Sequence, residues 1–303
     1  FTLIIIFAGV QNGIERVSKI MMPILIVLSV IIAVYSVTRP GALAGVKYFL
    51  VPNVKNFSWM TVVSAMGQMF YSLSIAMGIL ITFGSYMKKD TAIEDSTRNV
   101  EVFDTGIAIM AGLMIIPAVF AFSGGDPDTL QAGPSLMFIT IPKVFQNMGF
   151  GTVIGIVFFL LVLFAAVTSS IALTESAVST FEDELGWGRK KATVLVGVIM
   201  LVLGSLSSLG YGPLAGIKII GMQFLDLFDF LTNSVMMPIA ALLTSLLVSR
   251  VVGIDKIEEE IIHGESAFRR KKVFVVMIKY LCPVFAIIIL LSSVANALGW
   301  IKM

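Results

Sequence analysis

Residues 57–86 read FSWMTVVSAMGQMFYSLSIAMGILITFGSY, an apolar stretch of membrane-spanning length with a polar centre. From Gln68 to Gly78 it carries an amide, hydroxyl groups and small residues, where a lipid-facing helix would be apolar. Hydrocarbon does not solvate polar backbone, so a break at this depth must be buried in protein or line a cavity. Interrupted helices of this kind form ion and substrate sites in secondary transporters. The stretch therefore predicts a broken membrane helix and favours transport.

The whole chain has the composition of a helical membrane protein. Its 303 residues are 57% hydrophobic and 13% charged, with a mean hydropathy of +0.98. These values predict an all-α, polytopic membrane protein. We expect one transmembrane domain, residues 1–303, with a helical hairpin at about 126–148 on the external side and residues 1–10 as the end of a further helix. Seven full spans are predicted, at about 17–37, 58–86, 100–122, 151–181, 191–209, 221–249 and 273–298.

The basic residues predict an orientation in the membrane. If residue 11 starts on the cytoplasmic side, 14 of the 21 lysines and arginines fall in cytoplasmic segments. The positive-inside rule then places the C-terminus outside. We expect a multi-pass protein of the plasma (inner) membrane that contacts the lipid bilayer, and we interpret its basic clusters as topology signals rather than as a nucleic-acid surface.

Cysteine and histidine offer no catalytic or metal chemistry. Cys282 is the only cysteine, and the only histidine, His263, lies in a charged segment where we expect it to be solvated. A single cysteine excludes a disulfide within the chain. The sequence shows neither a nucleophile paired with a base nor a phosphate-binding loop, so we do not expect an enzyme.

Four polar groups interrupt the apolar spans, and each has two interpretations. Gln68, Ser72 and Ser74 offer oxygens for an ion, or hydroxyls at a helix–helix contact. Asp104 is a carboxylate at the start of a span, either a functional site or a shallow, solvated side chain. Thr168-Ser169-Ser170, with a carbonyl one turn earlier such as that of Ala165, could bind a hard cation or bond back to its own helix. Asp226 and Asp229 share a helical face and could gate a cation path or face water.

Several motifs together resemble one transporter family. The chain is similar to the bacterial branch of the neurotransmitter:sodium symporters, the leucine-transporter type, along essentially its whole length. The resemblance implies an inverted-repeat fold in which this chain holds the end of the fourth helix and helices five to eleven, with the N-terminal helices missing. The motifs that carry the resemblance are Gly13-Ile14-Glu15-Arg16, Gln68 to Gly78 with Ser85-Tyr86, Phe138-Ile139-Thr140-Ile141-Pro142, Thr168 to Ala172, and Phe181-Glu182-Asp183-Glu184-Leu185.

The resemblance also implies roles for individual residues. Ser72 and Asp104 would bind a first sodium ion together with the substrate carboxylate, and the Ala165 carbonyl, Thr168 and Ser169 would bind a second. Asp229 would pair with an external-gate arginine and Asp183 with an internal-gate arginine, both on the N-terminal part, and Tyr86 would belong to the internal gate. The implied substrate pocket consists of Tyr71, Ser74, Met77, Ser169 and Leu173.

Two features of this sequence refine the expected function. Asp104 supplies a fixed negative charge where chloride-dependent relatives use the anion, so we predict that transport is independent of chloride. The break reads Ala76-Met77-Gly78, where related chains often carry Gly-Phe-Gly or Gly-Met-Gly. Methionine is an adaptable pocket wall, which favours a hydrophobic or aromatic amino acid as substrate.

The sequence thus predicts a sodium-coupled amino-acid symporter that works by alternating access and co-transports sodium ions. Two alternatives stay open. One is a truncated, non-transporting fragment or an assembly subunit of such a transporter. The other is an amino-acid-gated channel or sensor on the same scaffold.

Overall fold

The computed structural model describes residues 1–124, 136–146, 149–265, 267–298 and 300, which are almost entirely helical. A short helical turn at Val54–Asn56 and an irregular segment at 210–223 connect longer elements. The helices are α1 Thr2–Phe7, α2 Val10–Val37, α3 Ala42–Leu50, α4 Trp59–Ser72, α5 Ile79–Ser85, α6 Ile93–Ser123, α7 Leu136–Gln146, α8 Gly151–Leu185, α9 Arg189–Leu209, α10 Phe224–Val252, α11 Ile254–Gly264 and α12 Lys271–Ala297.

Among the described residues, six helices are long and apolar enough to cross a membrane: α2, α6, α8, α9, α10 and α12. They confirm the predicted all-α, polytopic class and correspond to six of the seven predicted spans. The seventh span, 58–86, is divided between α4 and α5.

The predicted break in residues 57–86 is present. Ser58 opens α4 with a capping box, in which its Oγ accepts from the Thr61 backbone N–H at 3.3 Å and its own N–H donates to Thr61 Oγ1 at 3.2 Å. The helix ends at Ser72, and α5 begins only at Ile79. In the turn between them, Ser74 and Ala76 have φ values of 55° and 63°. Positive φ is costly for residues other than glycine and clusters at functional sites.

By its internal contacts the chain divides into two compact units. Unit 1 comprises Phe1–Phe57 and Val102–Ile171. Its core is formed by apolar side chains of α2, α6, α7 and α8, and the buried Ser36 hydroxyl donates to the Met114 carbonyl at 2.7 Å. Its most deeply buried core residues are Ile32, Ala118, Val119, Ile141, Val144, Phe145 and Phe158.

Unit 2 comprises Ser58–Glu101 and Ala172–Met303. Its core joins Phe70 of α4 to Met237 and Ala241 of α10 and to Ala286 and Ile289 of α12. Ile75, Ala76 and Met77 pack against this core, so apolar contacts hold the turn that interrupts the helix. Packing of this kind offsets the cost of the strained φ angles.

Three segments differ from the sequence-based expectation or extend it. Residues 87–99 lie between two predicted spans, but α6 begins at Ile93, because a capping carboxylate from a distant segment satisfies its first turn. The charged segment around His263, also between two predicted spans, contains α11, whose Ile261 is buried while His263 is exposed. Of the predicted hairpin at 126–148, α7 is helical, and residues 125–135 and 147–148 lie outside the described residues.

Candidate functional site

A cavity of about 400 Å³ lies in unit 2 between α4, α10 and α12. Gln68 and Tyr71 of α4 form one wall, and Tyr71 is 52% exposed. Ile289 and Ser293 of α12 close another wall, and α10 supplies Asp229. Apolar and polar groups both line the space, which suits a small ligand that has an apolar part and a charged part. The remaining lining residues are Gly67, Phe70, Asn233, Ser234, Met237 and Pro238.

The Asp229 carboxylate is held by a neighbour on its own helix. Asn233 Nδ2 donates to Asp229 Oδ1 at 2.5 Å. Both residues lie at a π-helical part of α10, Phe230–Met236, and such wide turns are frequent at functional sites. Asp226, the other acid of this helix, lies near Tyr211 instead. Partial burial and the negative charge of Asp226 raise the pKa of the Tyr211 phenol. Asn233, Ser234 and Ser293 were not singled out from the sequence, although each is a polar residue in an apolar span.

The predicted site residues of the broken helix lie at the end of α4 and in the turn that follows it. Tyr71 and Ser72 end α4, whereas Ser74 and Met77 belong to the turn itself. Met77 packs against the core formed by Phe70, Met237 and Ile289. Ser72, Ser74 and Met77 are partly buried, and Leu173 of α8 is 49% exposed.

The predicted second sodium site has its oxygens on one turn of α8 in unit 1. Thr168 Oγ1 donates to the carbonyls of Ala165 at 3.0 Å and Phe164 at 3.1 Å, so the hydroxyl bonds back to its own helix. Ser169 is exposed, and the Ser170 and Thr2 hydroxyls lie 3.1 Å apart. When two oxygens bind the same hard cation, each at about 2.4 Å, the distance between the oxygens is similar to the 3.0 Å between Ala165 O and Thr168 Oγ1. An ion between them would take the place of this hydrogen bond: the Thr168 hydroxyl would keep its proton, turn it away from the Ala165 carbonyl and offer a lone pair to the ion.

Asp104, the predicted carboxylate ligand of the first sodium ion, is partly buried in α6. It lies in the same helix as Glu94 and Glu101, both of which take part in ion pairs. The hydroxyl partner predicted for it, Ser72, lies at the end of α4. Asp104 belongs to unit 1 and Ser72 to unit 2.

A second group of polar side chains in unit 2 surrounds a buried carboxylate that the sequence analysis did not single out. Glu175 of α8 is 0% exposed and accepts from Arg189 Nη2 at 2.6 Å and Nη1 at 3.1 Å. Tyr86, predicted as a gate residue, donates its hydroxyl to Glu175 Oε1 at 2.8 Å. Arg189 also contacts Glu182 at 3.4 Å. We call Tyr86, Glu175, Glu182 and Arg189 the Glu175 cluster.

The signal for Glu175 was present in the sequence, because a carboxylate inside an apolar span is a site candidate by default. The same reasoning singled out Asp104. Asp183, the predicted gate acid, is exposed and lies beside Glu182.

Hydroxyl groups fix α5 against α8 next to the cluster. Thr82 Oγ1 lies 3.3 Å from Ser179 Oγ and 3.4 Å from Ser176 Oγ, and all three side chains are buried. Gly78 has a φ of +79°, and a Cβ atom there would lie 2.6 Å from Ser176 Oγ. Only glycine therefore fits at the start of α5 without displacing Ser176.

The candidate ligands in these sites are oxygen atoms. Within the described residues, His, Cys, Asp and Glu form no group of three that could hold a metal ion. The candidate ligands are hydroxyl, carbonyl and carboxylate oxygens, the donors that hard cations prefer.

Comparisons with known proteins agree with this geometry. The model of the sodium:neurotransmitter symporter family matches residues 1–300. The chain is 33% identical over 294 residues to the uncharacterized sodium-dependent transporter YhdH of Bacillus subtilis, with 97% of this chain and 64% of that protein covered. It is 31% identical to an uncharacterized sodium-dependent transporter of Haemophilus influenzae, with 96% of this chain and 62% of that protein covered.

A solved structure shares the fold. The crystal structure of MhsT in complex with L-phenylalanine matches with a TM-score of 0.83 and 34% identity, over 96% of this chain and 65% of that one. The chain thus spans slightly less than two thirds of the length of these relatives.

Proposed function

This chain belongs to the sodium:neurotransmitter symporter family, and on that basis we propose that it serves sodium-coupled symport of an amino acid by alternating access. The observation that carries the proposal is the interrupted helix 58–86, with its strained turn next to a cavity. Freed backbone groups at such a break can bind an ion and a charged substrate at the middle of the membrane. The relatives are transporters rather than enzymes. We place the protein in the plasma membrane, with its C-terminus outside.

Two sodium sites follow from the proposal. Ser72 and Asp104 bind the first ion, and Ala165 O, Thr168 and Ser169 bind the second. The second set of ligands lies on one turn of α8, where the ion would replace the 3.0 Å back-bond from Thr168 Oγ1 to Ala165 O. Because the first ion also contacts the substrate carboxylate, each ligand raises the affinity of the other by the same factor.

The substrate is a hydrophobic or aromatic amino acid. Tyr71, Ser74, Met77, Ser169 and Leu173 line its pocket. The half-apolar cavity beside Tyr71 supports this choice, and so does the similarity to MhsT, which was crystallised with L-phenylalanine.

The gates lie on either side of this pocket. Asp229 serves the external gate, where Asn233 holds its carboxylate, and Tyr86 and Asp183 serve the internal gate. The Glu175 cluster ties Tyr86 to α8 and α9, which supports the assignment of Tyr86.

Sodium dependence of uptake tests the function. The native protein is reconstituted in lipid vesicles, and uptake of labelled phenylalanine and leucine is measured in a sodium or a potassium gradient. We expect uptake only with sodium, and a much higher half-saturating sodium concentration for Asp104→Ala and Thr168→Ala. Thr97→Ala is the matched control, because Thr97 Oγ1 makes the same back-bond to its helix at 2.9 Å but lies outside the sites. Unchanged sodium dependence in both site variants would contradict the assignment.

Replacing chloride by gluconate in the same assay tests the role of Asp104. We expect unchanged uptake, because the carboxylate supplies the fixed negative charge. A collapse of uptake without chloride would contradict this part of the proposal. Amino-acid-gated currents without matching uptake would favour a channel or sensor.

A further inference from the structure

The charged segment that follows α10 packs closely against the start of α6. Gly264, the last residue of α11, lies so close to the chain before α6 that a Cβ atom there would be 2.4 Å from the Thr91 carbonyl oxygen. Ile261 of α11 is buried, whereas the acidic side of the helix is exposed. The segment therefore packs against the start of α6 instead of extending into solvent.

Glu265 caps α6 from a distance of 171 residues in the chain. Its Oε1 accepts from the backbone N–H of Glu94 at 2.6 Å and from that of Asp95 at 3.3 Å. The first N–H groups of a helix have no partner within the helix, and a carboxylate there is also favoured by the helix dipole. A residue of another segment thus does what an N-cap side chain normally does locally.

The contact is reciprocal. The Glu94 carboxylate accepts from the Arg269 backbone N–H at 2.9 Å, and its side chain is 11% exposed. Arg270 bridges Glu94 at 3.7 Å and Glu101, about two turns later in α6, at 3.0 Å. We call Glu94, Glu101, Glu265, Arg269 and Arg270 the Glu265 clasp.

The clasp holds the helix that carries Asp104. Between Ile93 and Ser123, α6 has no break, and Asp104 follows Glu94 by ten residues. Ten residues of α-helix span about 15 Å, a length over which a helix transmits a shift or a rotation of its first turn. Glu265 makes both of its hydrogen bonds at the first turn of α6, and Arg270 adds a solvent-accessible ion pair to Glu101.

We propose that Glu265 is a positioning residue for Asp104: by capping and orienting the first turn of α6, it sets the place of the carboxylate that binds the first sodium ion. The inference rests on the proposed function, because it needs Asp104 as a sodium ligand. It assigns a role in sodium binding to a charged segment that lies between two predicted spans.

The test compares three variants of the native protein in vesicles. Glu265→Ala removes both bonds to α6, whereas Glu265→Gln keeps an oxygen that can accept them. Glu260→Ala removes the same charge from the exposed side of α11 and is the matched control. The measured quantities are the half-saturating sodium concentration for uptake and the midpoint of thermal unfolding.

We expect Glu265→Ala to raise the half-saturating sodium concentration about two- to fivefold, because the free energy of one helix cap is the upper limit on what its loss can withdraw from sodium binding. Glu265→Gln should restore most of the sodium affinity, and Glu260→Ala should match the wild type. A Glu265→Ala protein that melts earlier but needs no more sodium would overturn the inference, since the clasp would then be structural only.

Asp104→Ala separates this inference from the proposed function. If Asp104→Ala weakens sodium dependence and Glu265→Ala does not, the positioning role fails and the function stands. If the wild type shows no sodium dependence, the proposed function fails and the positioning role fails with it.

Discussion

Two carboxylates of unit 2 are satisfied in opposite ways. Glu175 is fully buried and receives three hydrogen bonds, two from the Arg189 guanidinium and one from the Tyr86 hydroxyl. Asp229 is exposed, borders a cavity of about 400 Å³ and accepts from the neutral Asn233 amide. The Glu175 charge is therefore balanced within the cluster, whereas the Asn233 amide orients Asp229 without neutralising it.

The difference indicates which carboxylate can exchange its partner. A buried charge that loses its partner is strongly destabilised, so the Glu175 cluster is a structural tie that costs much to open. An exposed carboxylate loses little when a partner leaves. The external-gate role proposed for Asp229 needs a carboxylate that can bind and release a cationic group, and its exposure meets this need. The internal-gate role proposed for Tyr86 would require that opening preserve or replace the Glu175 pair.

The largest effect is expected from Glu175→Ala. It leaves the Arg189 guanidinium, whose side chain is 26% exposed, without its main partner. Breaking a buried pair by removing one member typically lowers the free energy of unfolding by about 3–5 kcal/mol. Chemical denaturation in detergent micelles, followed by tryptophan fluorescence, measures this loss.

Glu182→Ala is the matched control, because Glu182 contacts the same arginine at 3.4 Å and is itself 26% exposed. Its removal should cost less than about 1 kcal/mol, as for other solvent-accessible pairs. Equal losses for the two variants would show that burial does not distinguish Glu175.

A smaller loss is expected from Tyr86→Phe, which removes one donor and leaves the ion pair intact. A hydrogen bond to a charged group contributes about 1.5–3 kcal/mol, and the low end applies because Tyr86 is 39% exposed. Tyr71→Phe removes the same hydroxyl from the cavity wall and should change stability by less than about 0.5 kcal/mol. If Tyr71→Phe lowered the free energy of unfolding more than Tyr86→Phe did, the hydroxyl at the cavity wall would be the more important one for stability. The structural role would then belong to the cavity and not to the Glu175 cluster.

The two carboxylates also show what the sequence could predict. Hydropathy and length predicted α2, α6, α8, α9, α10 and α12, because a membrane-spanning helix needs a long apolar run. The break at Leu73–Gly78 was predictable, since Gln68, Ser72, Ser74 and Gly78 cluster in the middle of an apolar stretch. Asp229 was singled out as an acid near the end of an apolar span, whereas Tyr86 and the proposed roles of the sodium ligands come from the family resemblance.

Contacts between distant residues were not predictable in this way. Glu175 looks isolated in α8, and only packing brings Tyr86, 89 residues earlier, to its carboxylate. The contact of Asn233 with Asp229 lies at the π-helical part of α10, and hydropathy does not reveal such a wide turn. Glu265 reads as one more charge in a charged segment, and its partners lie about 170 residues earlier in the chain.

A gain of stability is expected at the turn that joins the cavity wall of α4 to the cluster side of α5. Ala76 has a φ of 63°, a conformation that costs an L-residue about 1–2 kcal/mol. Ala76→Gly removes this strain but adds flexibility to the unfolded chain, so the net gain should be about 0.5–1 kcal/mol. Gly78→Ala is the converse control and should destabilise, because its Cβ would lie 2.6 Å from Ser176 Oγ. A loss of stability in Ala76→Gly would mean that the turn is not strained at this residue.

The smallest change in stability is expected from Asp229→Asn, which keeps the shape of the side chain and removes its charge. Asp229 is exposed, so the free energy of unfolding should change by less than about 0.5 kcal/mol. Sodium-driven amino-acid uptake should nevertheless fall at least about tenfold, since a neutral amide binds a cationic gate partner more weakly by roughly the free energy of a charge-assisted hydrogen bond. Asp226→Asn, three residues earlier on the same helix, is the control and should keep most of the uptake. Full uptake by Asp229→Asn would show that the charge of Asp229 is not needed for transport. Glu175 would then be the remaining candidate for a functional carboxylate in unit 2.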